Sequence, residues 1–309
     1  MRGLRKVLTP FAPDQSGAVS VLYSLGGLIV VIDAGGCTGN ICGFDEPRWQ
    51  KGKSAIFSAG LRDMDAILGR DELLVSKTLD AASRIDCRFI ALIGTPVPAT
   101  IGTDYRALKR MLERKTDLPV LTIPSNGMRL YDEGEKAAYK ELAGLPVAGE
   151  AIDSEVTLGL TPLTYGSRSK DVTLEQMSNI RNCAGVIAAS SSGLGAALDL
   201  GLDHRILSEP ALDFLKEDLS GKVLICHDEV FGKTLRDNGV DADIATFFTL
   251  HDEIRMPGDR KLNGEDDLIE MVMSNSYDCI LADECLLDLI PDYKGRFIDA
   301  PCFAISGRQ

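Results

Sequence analysis

The sequence predicts an α/β protein made of two or more doubly wound, Rossmann-like parallel-sheet domains. Uninterrupted apolar runs of strand length recur along the chain, helix-period segments separate them, and a glycine-rich turn follows the first run. A strand covered by helices on both faces is apolar throughout, whereas one with a solvated face alternates. With 309 residues and 45% hydrophobic content, the chain can bury one large or two ordinary cores.

In chain order, strands are expected at Leu28–Asp33, Ala55–Ser58, Phe89–Ile93, Val120–Ile123, Val156–Leu160, Val186–Ala189, Lys222–Cys226, Ile244–Phe248, Cys279–Ala282 and Phe297–Ile298. Ile101, Tyr105, Leu108 and Leu112 mark one helical stripe between them. Leu268, Ile269, Val272 and Met273 mark another, behind an acidic first turn. Ala143–Ser154, which holds Gly144, Pro146 and Gly149 and has little periodicity, divides an N-terminal domain over 1–147 from C-terminal α/β structure over 151–309.

Composition narrows the function. Acidic residues number 46 against 33 basic, and the net charge of −13 repels phosphate backbones; with no basic run interleaved with aromatics, nucleic acid is not expected as a partner. The longest apolar run, Leu25–Ala34, is about half of what a bilayer span needs, and no signal peptide opens the chain, so a cytoplasmic protein without a membrane anchor is expected. The eight cysteines then read as reduced thiols. Cys87, Cys183, Cys226 and Cys279 sit at or beside apolar strand patterns and act as small hydrophobes; Cys285, in a helical pattern, and Cys302, in the tail, read the same way.

One stretch stands apart. In doubly wound folds ligands bind where strands end, and after Leu28–Asp33 the chain reads Gly35-Gly36-Cys37-Thr38-Gly39-Asn40-Ile41-Cys42-Gly43. Glycines at this density let backbone approach a ligand or adopt positive φ. The turn lacks the lysine and Ser/Thr of a P-loop, and its glycines do not fit the dinucleotide fingerprint. Two thiols five residues apart suit a soft metal or an iron–sulfur cluster, although two ligands do not close a four-coordinate site and ordinary thiols on a tight turn give the same pattern. A two-fold axis supplies each ligand twice.

These residues resemble the nitrogenase component 1-type oxidoreductases, a family that includes the nitrogenase molybdenum-iron protein, its cofactor-assembly scaffolds and the dark-operative protochlorophyllide and chlorophyllide reductases. Gly17-Ala18-Val19 leading into Ile32-Asp33-Ala34-Gly35-Gly36-Cys37 resembles the family's "GA" helix, strand and Gly-Cys turn. Ser58-Ala59-Gly60-Leu61-Arg62-Asp63-Met64-Asp65, then Gly69, is similar to its second block, and Thr95 to Asp104 to its third. Ile123–Leu142, Val156–Gly166 and Gly295–Arg308 continue the likeness, so it runs through nearly the whole chain.

The resemblance implies an iron–sulfur cluster of the 4Fe–4S type at a dimer interface, fed by a separate ATP-hydrolysing iron–sulfur reductase, with electrons passing to a substrate or second cofactor between the domains. Family catalytic subunits bring three cysteines each. Here only Cys37 remains: the first position reads near Pro13-Asp14 and the third reads Pro96. The resemblance then implies one of two things: a compact relative with Cys37 and Cys42 as metal ligands from two copies, or from one copy and an unlike sister chain, or a relative that has lost its cluster. Gly35, Gly36 and Gly39 would line the cluster, with Asp63, Asp65 and Thr95 as candidate catalytic groups. The alternative is a non-redox scaffold holding a tetrapyrrole or metallocofactor in the same fold.

Each remaining candidate has a plainer reading. Asp45, Glu46, Arg48 and Trp49 suit a partner anchor or a packed domain edge. Asp63 and Asp65 suit an acid or proton relay near the cleft, and Thr95, Thr103 and Asp104 suit its lining; all but Thr95 also fit helix starts. Ser190-Ser191-Ser192-Gly193 suits an anion at a helix N-terminus or an ordinary capping turn. His204, His227 and His251 show no ligand spacing and read as structural, with His227, beside Cys226 at a strand end, the one exception.

Overall fold

The computed structural model describes residues 11–46, 54–146, 152–159, 172–208, 219–302 and 304–305. They fall into two compact units, one holding 12–46, 54–146, 152 and 172–183, the other 11, 153–159, 184–208, 219–302 and 304–305.

The first unit contains α1 (Asp14–Tyr23), β1 (Leu28–Val31), α2 (Gly36–Asn40), a π-helical turn (Ile41–Asp45), β2 (Ala55–Ser58), α3 (Asp63–Leu68), α4 (Asp71–Arg84), β3 (Ile90–Ile93), α5 (Pro96–Ile101), α6 (Tyr105–Glu113), β4 (Val120–Ile123), α7 (Tyr131–Leu142) and α8 (Leu174–Ser178). Its sheet runs β2-β1-β3-β4 and is parallel throughout. Strands β1 and β3 are buried at every position. Leu28, Val30, Ile90 and Leu92 pack with Leu74 and Val75 of α4 and Leu108 and Leu112 of α6, while α1 and α7 meet the sheet strands as well as each other. Burial of this kind explains why the strands read as continuous apolar runs.

In the second unit, β5 (Ile152–Leu158), β6 (Cys183–Ala188) and β7 (His204–Ile206) form a three-stranded sheet, with α9 (Ser191–Leu200) following β6. A five-stranded parallel sheet, ordered β10-β9-β8-β11-β12, follows from β8 (Val223–Cys226), α10 (Glu229–Asp237), β9 (Ala242–Thr246), β10 (Arg260–Lys261), α11 (Glu265–Ser274), β11 (Cys279–Ala282) and β12 (Arg296–Asp299). Leu224, Ile280 and Ala282 face Leu268, Met271 and Val272 of α11. Val223, Ile225 and Leu281 face Phe231 and Leu235 of α10.

Every expected strand that lies among the described residues is present, with ends shifted by a few residues; β7 and β10, three and two residues long, are too short to stand out as apolar runs. The stripe from Ile101 to Leu112 belongs to two helices, because Gly102 at φ 69° ends α5 and leaves Ile101 45% exposed. Met273 is likewise exposed, while Leu268 and Val272 are buried. The stretches 147–151 and 160–171, which include part of the expected domain boundary and most of Val156–Gly166, lie outside the described residues, as do Arg48, Trp49 and the end of the tail.

Helix α1 is buried at every residue, so it shows no amphipathic period. Small residues let it lie close to α7: a Cβ on Gly17 would stand 2.0 Å from the Tyr131 carbonyl oxygen, and one on Gly134 1.8 Å from that of Asp14. Gly17→Ala is expected to cost about 2–3 kcal/mol in urea denaturation by over-packing. Gly102→Ala, where a Cβ meets nothing within 4 Å but φ is positive, should cost only about 1 kcal/mol.

Candidate functional site

The order of the first sheet reverses between β1 and β3, so the loops leaving these two strands open a crevice at their carboxyl ends. Cys37 follows β1 and Thr95 follows β3. The glycine-rich stretch is a turn of helix rather than an irregular loop. Gly35, at φ 116°, supplies the left-handed residue that starts α2, a conformation side-chain-bearing residues rarely adopt. The wider π turn after it carries Cys42.

Asp33, 1% exposed, holds this turn in place. The Thr38 amide donates to its Oδ2 at 2.8 Å and the Ser58 hydroxyl to its Oδ1 at 2.6 Å, so one carboxylate ties α2 to the end of β2. Thr95 is fully buried, and its hydroxyl donates to the Ile32 carbonyl at 2.8 Å and meets the Cys37 sulfur. The Ser16 hydroxyl donates to Asp45 Oδ2 at 2.7 Å, joining α1 to the π turn; Asp45 and Glu46 are buried rather than displayed.

Cys37 and Cys42 are both partly exposed. Burial raises the thiol pKa of each, and the Asp33 carboxylate raises both further; Thr95 opposes this at Cys37. Each thiol therefore keeps its proton at neutral pH unless a cation arrives. Gly36, Gly39 and Gly43 have open space where a Cβ would stand, so nothing within the described chain demands their small size.

The other two positions of the resemblance converge on the same edge without thiols. Asp14, 1% exposed, accepts the amides of Gln15 (3.0 Å), Asn126 (3.0 Å) and Gly127 (2.8 Å), which leaves it a structural anchor for the turn after β4. Pro96 lies against Gly127, where a Cβ would come within 2.6 Å of its ring. Among the described residues no group of three or more His, Cys, Asp or Glu side chains is placed to hold a metal.

Asp63 is exposed at the start of α3. Asp65 accepts the Arg62 amide at 3.1 Å and pairs with Arg70 at 3.2 Å, which caps the helix. Asp104 caps α6 through the amides of Arg106 and Ala107, both at 3.0 Å. In the second unit Ser190 Oγ accepts the Gly193 amide at 3.2 Å and the Ser191 amide donates to Asp228 at 2.9 Å, so the serine turn spends these donors internally. His204 meets Glu253 and the Leu202 carbonyl, and His251 pairs with Glu229. Asp33, Asp14 and Ser58, which hold the turn and its surroundings, do not announce themselves in the sequence as site residues; the available sign, for Asp33, is an acid that ends an apolar run one residue before two glycines.

No family model matches the chain, and no curated protein matches it. Solved structures do. "Nitrogenase Cp1 at pH 6.5" superimposes with a TM-score of 0.72 at 11% identity over 99% of this chain and 88% of that one. "Nitrogenase Cp1 at pH 5" gives 0.64 at 13% identity over 96% and 84%. The chain has a nitrogenase component 1-like fold. At these identities the likeness establishes the α/β architecture over nearly the whole chain, as the motif order implied. Among the described residues no helix is long and apolar enough to cross a membrane.

In metal-free protein, alkylation of Cys37 and Cys42 by iodoacetamide should be slow at pH 7.5 and rise about tenfold per pH unit up to and past pH 9, because a raised pKa leaves little thiolate below it. Asp33→Asn should move that rise to lower pH, measured by mass spectrometry of the labelled peptide.

Proposed function

We propose that the chain is an oxidoreductase subunit in which Cys37 and Cys42 of two copies, or of one copy and a sister chain, hold a 4Fe–4S cluster at their shared seam. Electrons reach it from an ATP-dependent iron–sulfur reductase. The observation that carries this reading is a pair of partly exposed thiols on two consecutive helical turns at the sheet's switch point, flanked by glycines whose missing side chains the chain itself does not require.

The donor count decides how a cluster fits. Asp14 is spent on three amides and Pro96 has no ligand atom, so one chain offers two thiols and four require a pair. Large apolar side chains are exposed in each of the four connections that leave the carboxyl ends of the first sheet: Phe44, Met64 with Ile67, Ile101, and Met128 at 85%. Such residues suit a surface covered by a partner. When bound, the cluster would supply one-electron transfer. The chain's own residues fix the turn through Asp33, keep the Cys37 sulfur against the Thr95 hydroxyl and bring apolar walls that exclude water. The non-redox scaffold is favoured by a different observation, the raised thiol pKa values together with the loss of two of the three family ligand positions.

Anaerobic purification followed by iron analysis and electron paramagnetic resonance separates the two. The redox reading expects about four irons per pair and a reduced-cluster signal, both lost in a Cys37→Ser variant whose circular dichroism is unchanged. Colourless wild-type protein, or iron content that Cys37→Ser leaves intact, overturns it.

A further inference from the structure

The five-stranded sheet has a switch point of its own, between β8 and β11. His227 and Asp228 follow β8, Asp283 follows β11, and Pro301 and Cys302 follow β12. The first turn of α9 joins them through the Ser191 amide on Asp228. All four of His227, Asp228, Asp283 and Ser191 are more than nine-tenths buried.

Most polar atoms here are already spent. The other oxygen of Asp228 accepts the Val230 amide at 2.8 Å, and Asp283 accepts the amides of Cys285 (3.1 Å) and Cys302 (2.9 Å). His227 Nε2 stands 3.1 Å from the Pro301 carbonyl oxygen, which can only accept, so Nε2 carries the proton. That leaves Nδ1 as a bare acceptor, and it has no partner. The Ser191 hydroxyl lies against the Asp228 carboxylate and favours its charged form, and the Ser191 oxygen accepts from no described donor. Burial keeps the imidazole neutral and raises the Asp228 carboxyl, which the Ser191 and Val230 amides draw back toward the anion. An unmet acceptor in such a place is unfavourable, and a bound donor recovers what its burial loses.

The chemistry of the occupant follows from this inventory. An anion would meet a lone pair and two carboxylates, with the Ser191 and Gly193 amides of α9 already engaged. A metal lacks a donor set among the described residues. We propose that this second crevice binds a small protonated amine, which donates one N–H to His227 Nδ1 and another to the Ser191 oxygen, in the field of Asp228 and Asp283. Such a site goes beyond the cluster reading and does not depend on it.

Iron-free full-length protein labelled with ¹⁵N-histidine tests the idea, since the chain has only three histidines and His227→Gln identifies the resonance. Methylammonium chloride should move the His227 Nδ1 signal saturably, and tetramethylammonium chloride, equal in charge but without an N–H, should not. Ser191→Ala should weaken the apparent affinity about fivefold, the scale of one lost hydrogen bond. No saturable shift, or the same shift with both salts, overturns the proposal and leaves an ordered water as the partner of Nδ1.

Discussion

A single buried carboxylate organises the turn that carries Cys37 and Cys42. Asp33 ends β1 and binds both the amide of Thr38 and the hydroxyl of Ser58, so the start of α2 and the end of β2 are fixed to one point. Without it, a turn built from Gly35, Gly36 and Gly39 would have little to hold it, since glycine loses more conformational freedom on ordering than any other residue. The same charge has an opposite effect on the chemistry. It disfavours thiolate at Cys37 and Cys42, and so couples ordering of the turn to a need for positive charge nearby.

Topology places two such regions in the molecule. In each of the two larger sheets the strand order reverses once, and neighbouring strands at that point send their connections to opposite faces. The first reversal gathers Cys37 and Thr95, the second His227, Asp228 and Asp283. Both put polar atoms at the rim of an otherwise apolar sheet, but they resolve the burial differently. At the first, thiols are left partly open toward solvent. At the second, amides satisfy the carboxylates and one imidazole nitrogen stays unmet.

Much of the fold is legible in the sequence because burial on both faces makes a strand apolar at every position, as in Leu28–Val31 and Cys279–Ala282. Helix α1 hides for the same reason: with every residue buried it has no polar face to set a period. Ile101 misleads because an apolar residue in step with Leu108 and Leu112 reads as one stripe, while Gly102 breaks the helix between them. At the site, the cysteines and glycines are visible as chemistry, but the residues that position them are not. A short acid such as Asp33, Asp14 or Asp228 gives the same letter whether it caps a turn or faces water. Only the fold shows which amides it collects.

The proposed cluster requires two cysteine turns to meet around iron. Diffraction from anaerobically grown crystals, recorded on either side of the iron absorption edge, addresses it most directly. A bridging cluster gives an anomalous peak on a molecular two-fold or pseudo-two-fold axis, bonded to Cys37 from both chains. Iron located elsewhere, or Cys37 facing solvent in crystals that contain iron, would contradict it.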